Sequence, residues 1–274
     1  MPGRQLTLMT VHAHPDDEAT STGGVLAKAA AEGVRTVLVT CTDGSCGDGP
    51  GGVKPGDPGH DPAAVVELRR KELEASCEIL KVTDLEWLGY TDSGMMGWDT
   101  NDAPGSFWRT PIDVAAAKLA TLIEKYSPDV IVTYDEYGFY GHPDHIQANR
   151  VTMAAIAMTG SDAKVYWTTF ARSKMVEFEK ALAELGMNMA DEVPSDGPEI
   201  GLPDDEITTF VDTSAFGAQK FESLAAHGSQ GENIFFLQMG VERFTQLMGV
   251  EAYVRVKDST NAPLPEDDLF AGLR

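Results

Sequence analysis

The first 41 residues contain a strand, a short helix and a second strand in immediate succession. Residues 6–11 form an apolar and β-branched run without a breaker, which is typical of a buried strand. Residues 23–32 have the apolar spacing of a helix that ends at Gly33, and residues 36–41 indicate the second strand. Two strands joined by a crossover helix run parallel. The chain is therefore predicted to be an α/β protein, with a mostly parallel sheet flanked by helices.

Strands and helices continue to alternate along the rest of the chain. Further strands are predicted at residues 85–88, 130–134, 165–170, 208–211 and 251–256. Further helices are predicted at residues 61–80, 111–126, 143–158, 173–185, 215–227 and 232–248. Turns are predicted at residues 12–22 and 135–141, and long loops at residues 42–60, 90–110 and 187–205. No repeat or linker interrupts this pattern, so residues 1–274 are expected to form one domain, with a core at about 5–170 and a C-terminal elaboration at about 171–258.

The charge balance restricts the partners of the chain. Lys and Arg number 21 against 43 Asp and Glu, which gives a net charge of −22. Such a surface repels nucleic acids and anionic membranes, so a neutral or cationic small molecule is the expected ligand. No apolar run approaches the ~20 residues that span a bilayer, and no signal peptide is evident. Three cysteines, an odd number, fit reduced thiols. We expect a cytoplasmic protein, with a homo-oligomer as an open alternative.

Two polar segments follow predicted strands directly. The first, residues 12–18, reads HAHPDDE after the first strand, and the second, residues 141–145, reads GHPDH after the fourth. Ligands of open parallel sheets bind beyond the carboxyl ends of the strands, where the strand order reverses. The usual order 3-2-1-4 puts the first and fourth strands side by side. The sequence therefore predicts one site at the C-terminal ends of strands 1 and 4.

The residue types in these segments are those of a metal site. Imidazole nitrogen and carboxylate oxygen suit zinc or a similar divalent ion. His14 and Asp17 can close on one ion, and His142 and His145 share one face of a first helical turn. Consecutive aspartates point in different directions, so one of Asp16 and Asp17 would bind the ion and the other act as a base. Ordinary turns are the alternative, but four of the six histidines lie in these two segments.

These motifs resemble those of the PIG-L/LmbE-like zinc-dependent N-deacetylases. Weaker similarities are RxxEL at residues 69–73, GYTDSGM at residues 89–95 and HxxQ at residues 227–230. The pattern is most similar to the actinobacterial branch that acts on N-acetylglucosaminyl-inositol or mycothiol conjugates. The resemblance implies a Rossmann-like fold and one Zn²⁺ per chain, with Fe²⁺ or another divalent ion as the alternative. It implies that His14, Asp17 and His145 are the metal ligands and that Asp16 is the general base.

The resemblance also implies roles around the ligands. Protonated His142 and Tyr140 would stabilise the oxyanion, and Asp144 would sit behind His142 and tune its tautomer and charge. Either Asp16 or His142 would protonate the leaving amine. The substrate contacts implied by the weaker motifs are Arg69, Asp92 and His227. From the residues alone, a solvated helix face, a turn cap and a helix-terminal cation are the respective alternatives for these three. Trp98, Phe107 and Trp108 could stack on a sugar or cover an oligomer contact.

The expected function is hydrolysis of an N-acetyl amide on an N-acetylglucosamine-containing small molecule, which releases acetate and a free amine. A mycothiol S-conjugate amidase and a natural-product deacetylase are alternatives with the same reacting centre, and a non-catalytic metal- or sugar-binding protein is a remote one. No GxGxxG follows the first strand, which disfavours dinucleotide binding, and a metallophosphoesterase would need more carboxylates. Phe139 stands where the family resemblance leads us to expect glycine, which would narrow the pocket or change the aglycone preference.

Overall fold

A single seven-stranded sheet organises the molecule. The computed structural model describes residues 4–184, 186, 200–231 and 236–274. The strands are β1 (Thr7–His12), β2 (Arg35–Thr42), β3 (Asp84–Tyr90), β4 (Val130–Thr133), β5 (Lys164–Thr169), β6 (Thr209–Asp212) and β7 (Val250–Lys257). Their order is β3-β2-β1-β4-β5-β7-β6. The first five strands pair in parallel, and β7 pairs antiparallel with both β5 and β6. The predicted α/β class and the predicted order 3-2-1-4 are confirmed.

Helices cover both faces of the sheet. They are α1 (Asp17–Ser21), α2 (Gly23–Ala31), α3 (Pro62–Leu80), α4 (Ile112–Tyr126), α5 (Gly138–Gly141), α6 (Pro143–Thr159), α7 (Arg172–Glu184), α8 (Gly217–Ala226) and α9 (Gly240–Met248). Successive side chains of β1 alternate between the faces. Met9 and Val11 pack in one buried cluster with α4 and α6, while Leu8 packs in another with α2. Both faces of β1 are therefore buried, which explains why apolar and β-branched residues fill it without the alternation of a half-exposed strand. Within the described ranges, no helix is long and apolar enough to cross a membrane.

Local capping explains where α3 and α6, which both contribute residues to the site, begin. Asp61 accepts a hydrogen bond from the Ala63 backbone N–H at the start of α3, with Pro62 in the first helical position. His142 has the same role for α6, because its Nδ1 accepts from the Asp144 backbone N–H at 3.1 Å, and Pro143 follows it. The His-Pro dipeptide thus fixes the start of α6 directly after the β4 turn.

Three predicted segments differ from the structure. The turn predicted at residues 12–22 contains α1, and the turn predicted at residues 135–141 contains the single turn α5. The helix predicted at residues 232–248 is regular over Gly240–Met248, after a turn at residues 238–239, because Gly240 has a φ of +74° that no continuous helix adopts. Residues 232–235 of that prediction, and residues 187–199 of the predicted loop at 187–205, lie outside the described residues.

Candidate active site

The carboxyl ends of β1 and β4 lie side by side, and the two polar segments meet there. Leu8 pairs with Val130 and Thr10 with Val132, so both strands end at the same edge of the sheet. The HAHPDDE segment includes the end of β1 and leads into α1, while the GHPDH segment ends α5 and opens α6. Side chains 131 positions apart in the chain therefore come into contact.

The three predicted ligand side chains converge on one point. His14 Nδ1 lies 3.3 Å from Asp17 Oδ2 and 3.3 Å from His145 Nε2, and His145 Nε2 lies 3.4 Å from Asp17 Oδ1. Ligands about 2.0–2.1 Å from a tetrahedral zinc ion would be about 3.3–3.4 Å apart, so these separations fit such an ion. Among the described residues, His14, His142 and His145 also form a group whose nitrogens lie within 4.8 Å of one another. The donor set suits a divalent ion of the zinc type.

The charges of the cluster favour the ionised form of Asp17, which can bind a metal, and the protonated form of His14, which cannot. Burial tends to raise the pKa of Asp17, but His145 and His14 outweigh it and hold the pKa well below the usual range. Burial tends to lower the pKa of His14, but Asp92, Asp144 and Asp17 raise it well above 6.5. Without an ion, His14 therefore takes up a proton among the carboxylates. A bound divalent cation would replace that proton.

Asp144 lies behind His14, not behind His142. Its Oδ2 is 3.3 Å from His14 Nε2, and it accepts a hydrogen bond from the Ser93 backbone N–H at 2.8 Å. Asp92 Oδ1 lies 3.6 Å from the same imidazole nitrogen. A carboxylate on the remote nitrogen of a ligating histidine fixes its tautomer and orientation. The expectation that Asp144 tunes His142 is corrected, because the backbone turn at the start of α6 directs the carboxylate elsewhere.

His142 is arranged as a neutral hydrogen-bond donor. Burial, followed by the positive charges of His14 and His145, lowers the pKa of His142 well below 6.5. Its Nδ1 accepts the Asp144 backbone N–H, so the ring proton belongs on Nε2. The expected protonated His142 is therefore corrected to a neutral imidazole. It keeps one N–H to offer to a developing negative charge.

Asp16 adopts an unusual backbone conformation beside the ligands. Its φ is 121° and its ψ is −27°, a region that side chains with a Cβ rarely enter. Its side chain is 20% exposed, and its Oδ2 lies 3.1 Å from the Arg69 guanidinium. Burial raises the pKa of Asp16, Arg69 opposes the rise and Asp17 adds to it. A carboxylate with a raised pKa at the edge of the cluster is suited to accept a proton.

Arg69 is buried and heavily engaged. It is 4% exposed, and it donates to the Gly44 carbonyl at 2.9 Å and the Pro15 carbonyl at 2.5 Å in addition to its pairing with Asp16. The alternative of a solvated helix face is therefore excluded. Arg69 joins the loop after β2 to the turn after β1, and it also contributes to the wall of the cavity described below.

The turn after β4 places aromatic rings against the histidines. Phe139 has a φ of 68° and a ψ of −63°, a backbone conformation that normally requires glycine. Its ring packs on Phe170 at 5.3 Å between centroids. The Tyr140 ring lies 5.1 Å from His145 and 6.0 Å from His142.

His227 lies below the site, not on its surface. It is fully buried just after α8, and its Nε2 lies 2.7 Å from Glu18 Oε1. Burial tends to lower the pKa of His227, but Glu18 outweighs it and raises the pKa above 6.5. The expected direct contact between His227 and substrate is corrected, because its side chain has no exposed surface. Asp92, in contrast, is buried yet borders the cavity, where it accepts from the Gly94 backbone N–H at 2.8 Å.

A cavity of about 570 Å³ opens onto the cluster. One side is polar and includes Asp48, Lys54 and Gln230, and the other is apolar and is formed by Phe170, Met175, Phe178, Phe236, Leu247 and Met248. Among the three aromatic residues singled out from the sequence, Trp98 lines the cavity and is 40% exposed. Phe107 is buried and stacks on Tyr90, and Trp108 lies beneath the Arg150 guanidinium at 5.2 Å.

Sequence reasoning missed two residues that support the site. Tyr134 stacks on His145 at 4.2 Å between centroids, and its hydroxyl accepts from the Ala13 backbone N–H at 3.0 Å. Its position at the end of the predicted fourth strand was the available signal. Glu18 accepts the Asp16 backbone N–H through Oε2 at 3.0 Å. It belongs to the HAHPDDE segment, but its other partners, Ser76 and His227, come from distant parts of the chain.

Similarity to known proteins covers the whole length of the chain. It is 41% identical over 296 aligned positions to a 1D-myo-inositol 2-acetamido-2-deoxy-α-D-glucopyranoside deacetylase of Salinispora arenicola, covering 100% of this chain and 92% of the relative. It is 42% identical to the protein of the same name from Thermobifida fusca, covering 89% of this chain and 93% of that protein.

Solved structures share the fold at low identity. An N,N′-diacetylchitobiose deacetylase from Pyrococcus horikoshii superposes with a TM-score of 0.58 and 20% identity, covering 91% of this chain and 83% of that one. The 4-carboxy-2-hydroxymuconate hydratase GalB from Pseudomonas putida superposes with a TM-score of 0.61 and 19% identity, covering 95% of this chain and 100% of that one. Because a hydratase and a deacetylase share this fold, the fold alone does not determine the reaction. The model of the GlcNAc-PI de-N-acetylase (PIG-L) family matches residues 9–156, more than half of the chain, and the protein belongs to that family.

Proposed function

We propose that this protein hydrolyses the N-acetyl group of an N-acetylglucosaminyl-inositol and releases acetate and a free amine. The observation that carries the proposal is the convergence of His14, Asp17 and His145 on one point, with Asp16 and the neutral His142 beside it. Relatives at 41% and 42% identity carry the name of that reaction. A protein that only binds metal or sugar would have no need of the base and the donor.

The proposed metal is Zn²⁺, held by His14, Asp17 and His145, and Fe²⁺ remains the alternative. When bound, such an ion polarises a carbonyl oxygen and lowers the pKa of a water molecule to about 7. The chain's own contribution is to hold the three ligands rigidly. Asp144 fixes the remote nitrogen of His14, and Tyr134 stacks on the ring of His145.

Asp16 is the proposed proton carrier of the reaction. It accepts a proton from the attacking water while the new C–O bond forms at the acetyl carbon. The resulting negative oxygen receives a hydrogen bond from His142 Nε2–H and from the Tyr140 hydroxyl. The same proton then passes from Asp16 to the amine nitrogen as the C–N bond breaks. Because the pKa of His142 lies well below 6.5, its imidazole carries no second proton to give at neutral pH, and Asp16 is the proposed source of that proton.

The polar side of the cavity is the proposed place of the sugar and inositol. Arg69 and Asp92 border it, and their charges are balanced locally by Asp16 and by backbone N–H groups, so they suit hydroxyl groups better than an ionic ligand. Trp98 offers an exposed ring against which a sugar face can pack. His227 supports this wall from below, without contact to substrate.

One observation favours a second candidate. The apolar side of the cavity, from Phe170 to Met248, exceeds what an acetyl group needs. A mycothiol S-conjugate amidase or a natural-product deacetylase, whose substrates carry larger acyl or aglycone groups, would use that surface.

We further propose that the chain is one domain, works in the cytosol and acts on a small molecule, not a nucleic acid or a membrane.

Release of primary amine tests the two candidates together. Protein loaded with one Zn²⁺ is incubated with N-acetylglucosaminyl-inositol and, separately, with an S-alkylated mycothiol. We expect faster amine release from the first substrate. A larger kcat/KM for the second would make the protein a conjugate amidase. Release from neither, at one bound metal per chain, would contradict both assignments.

A further inference from the structure

The backbone at Asp16 is strained at the residue proposed to move the proton. Among the non-glycine residues of positive φ in the described ranges, Lys81 and Ser127 are ordinary left-handed ends of helices. Asp16, at φ 121° and ψ −27°, has no such explanation. A conformation of this kind persists only where the surroundings determine it from several sides. The question is therefore which groups hold Asp16.

Glu18 holds the backbone of Asp16. Its Oε2 accepts the Asp16 N–H at 3.0 Å, across a single intervening residue. Glu18 is fully buried, so no water competes for that carboxylate oxygen. A hydrogen bond from a backbone N–H to a buried carboxylate is charge-assisted and therefore strong. It orients the Asp16 peptide in its unusual conformation.

Glu18 is itself fixed by two distant elements. Its Oε1 accepts from the Ser76 hydroxyl of α3 at 2.5 Å and lies 2.7 Å from His227 Nε2, just after α8. Ser76 and His227 are both fully buried. One carboxylate oxygen, Oε1, is thus held by groups 58 and 209 positions away in the chain, which leaves Oε2 to accept the Asp16 N–H. Neither partner lines the cavity.

Helix α3 also contacts the side-chain carboxylate of Asp16. Arg69, two turns before Ser76 on α3, lies 3.1 Å from Asp16 Oδ2. Residues seven apart occupy the same face of a helix. This face of α3 therefore contacts Asp16 directly through Arg69 and indirectly through Ser76 and Glu18. Arg69 orients the carboxylate, and Ser76, through Glu18, orients the backbone.

We propose that Glu18, clamped by Ser76 and His227, is a positioning residue that keeps Asp16 in its strained conformation and thereby aims its carboxylate at the reacting water. This inference rests on the proposed function, because it assigns Glu18 a part in the proton transfer. Glu18 does not touch the substrate. Its removal should therefore lower kcat and leave KM and metal content largely intact.

The test compares Glu18→Ala, Glu18→Gln and a matched control. The glutamine amide oxygen can still accept the Asp16 N–H, while its NH₂ faces Ser76 and His227. Glu266→Gln is the control, because Glu266 is another buried carboxylate and pairs with Lys164 and Arg255 away from the site. Metal per chain, Tm, kcat and KM are measured for all variants, and crystal structures give the Asp16 φ angle.

We expect Glu18→Ala to lose about 100-fold in kcat, with KM within about twofold of wild type, because a small misplacement of a catalytic group has effects of that order. Its Asp16 φ should relax to a negative value. Glu18→Gln should recover most of the rate, and Glu266→Gln should lower Tm without changing kcat. If Glu18→Ala does not fold, Ser76→Ala provides the same comparison with a smaller loss of kcat.

A wild-type kcat in Glu18→Ala, or in Ser76→Ala where the alanine variant of Glu18 does not fold, would overturn the inference. So would an unchanged Asp16 φ, or a loss of rate that merely follows loss of metal. The crystallographic angle is read without substrate. Failure of the wild-type protein to release amine would therefore count against the proposed function, while the angle alone decides whether Glu18 holds Asp16.

Discussion

Replacing Arg69 by lysine should destabilise the protein far more than its conservative appearance suggests. The guanidinium meets three acceptors at once: the Asp16 carboxylate at 3.1 Å, the Gly44 carbonyl at 2.9 Å and the Pro15 carbonyl at 2.5 Å. The lysine ammonium is a compact charge on a shorter side chain, and it cannot donate to all three acceptors as the planar guanidinium does. If it keeps one partner, two charge-assisted hydrogen bonds are lost in a buried setting.

The magnitude follows from those two bonds. Hydrogen bonds to charged groups contribute about 1.5–3 kcal/mol each, so Arg69→Lys should lower the free energy of unfolding by about 3–6 kcal/mol before the site relaxes. Arg35→Lys is the matched control. Arg35 also donates two hydrogen bonds to one carboxylate, from Nε to Asp84 Oδ2 at 2.8 Å and from Nη2 to Asp84 Oδ1 at 3.1 Å. Its side chain, however, is 39% exposed. An exposed pair contributes much less to stability, because water and salt screen its charges.

Urea unfolding of the two lysine variants and of wild type measures the difference, and amine release measures kcat at a temperature where all three are folded. Arg69→Lys should also reduce kcat by roughly tenfold or more, because the Asp16 carboxylate loses its fixed partner. Equal free energies of unfolding for the two variants, together with a wild-type kcat in Arg69→Lys, would refute the role assigned to Arg69.

Two further predictions concern the carboxylate behind His14 and the thiol beside the cavity. Asp144→Asn should weaken metal affinity by about 10- to 100-fold, because it removes the charge that orients His14. Competition with a chelator measures the affinity, and an unchanged value would show that Asp144 does not orient His14. Burial raises the pKa of Cys46 to about 12, so its thiolate is scarce at neutral pH and becomes common only as pH rises toward that value. Cys46 should therefore react with iodoacetamide at pH 7.5 at least about 100-fold more slowly than a small free thiol, as followed by mass spectrometry, and equal rates would contradict the burial argument.

The position of the site was predictable from sequence because parallel topology leaves little choice. Once residues 6–11 and 130–134 are recognised as strands, the order 3-2-1-4 places the ends of β1 and β4 together. The choice of His14, Asp17 and His145 came from the family resemblance, but the meeting of the two polar segments follows from the topology. That part of the prediction depends only on strand register and on the residue types that follow each strand.

The supporting contacts were not predictable, because they depend on backbone turns and on distant pairings. Whether Asp144 faces His14 or His142 is decided by the capping turn of α6, in which the Asp144 N–H is already committed to His142 Nδ1. The proximity of Glu18 and His227, 209 positions apart, follows from the packing of α8 on α1 and α3. The burial that makes His142 neutral likewise exists only in the folded chain.

Asp16 is the residue on which the proposed reaction depends most directly. Wild type and Asp16→Asn, each loaded with metal, are assayed for amine release from N-acetylglucosaminyl-inositol, with bound metal determined for both. We predict that the variant retains one metal per chain and loses at least about 100-fold in kcat, the contribution typical of a general base. A variant that holds its metal and turns over at the wild-type rate would contradict the assignment of Asp16 as the base.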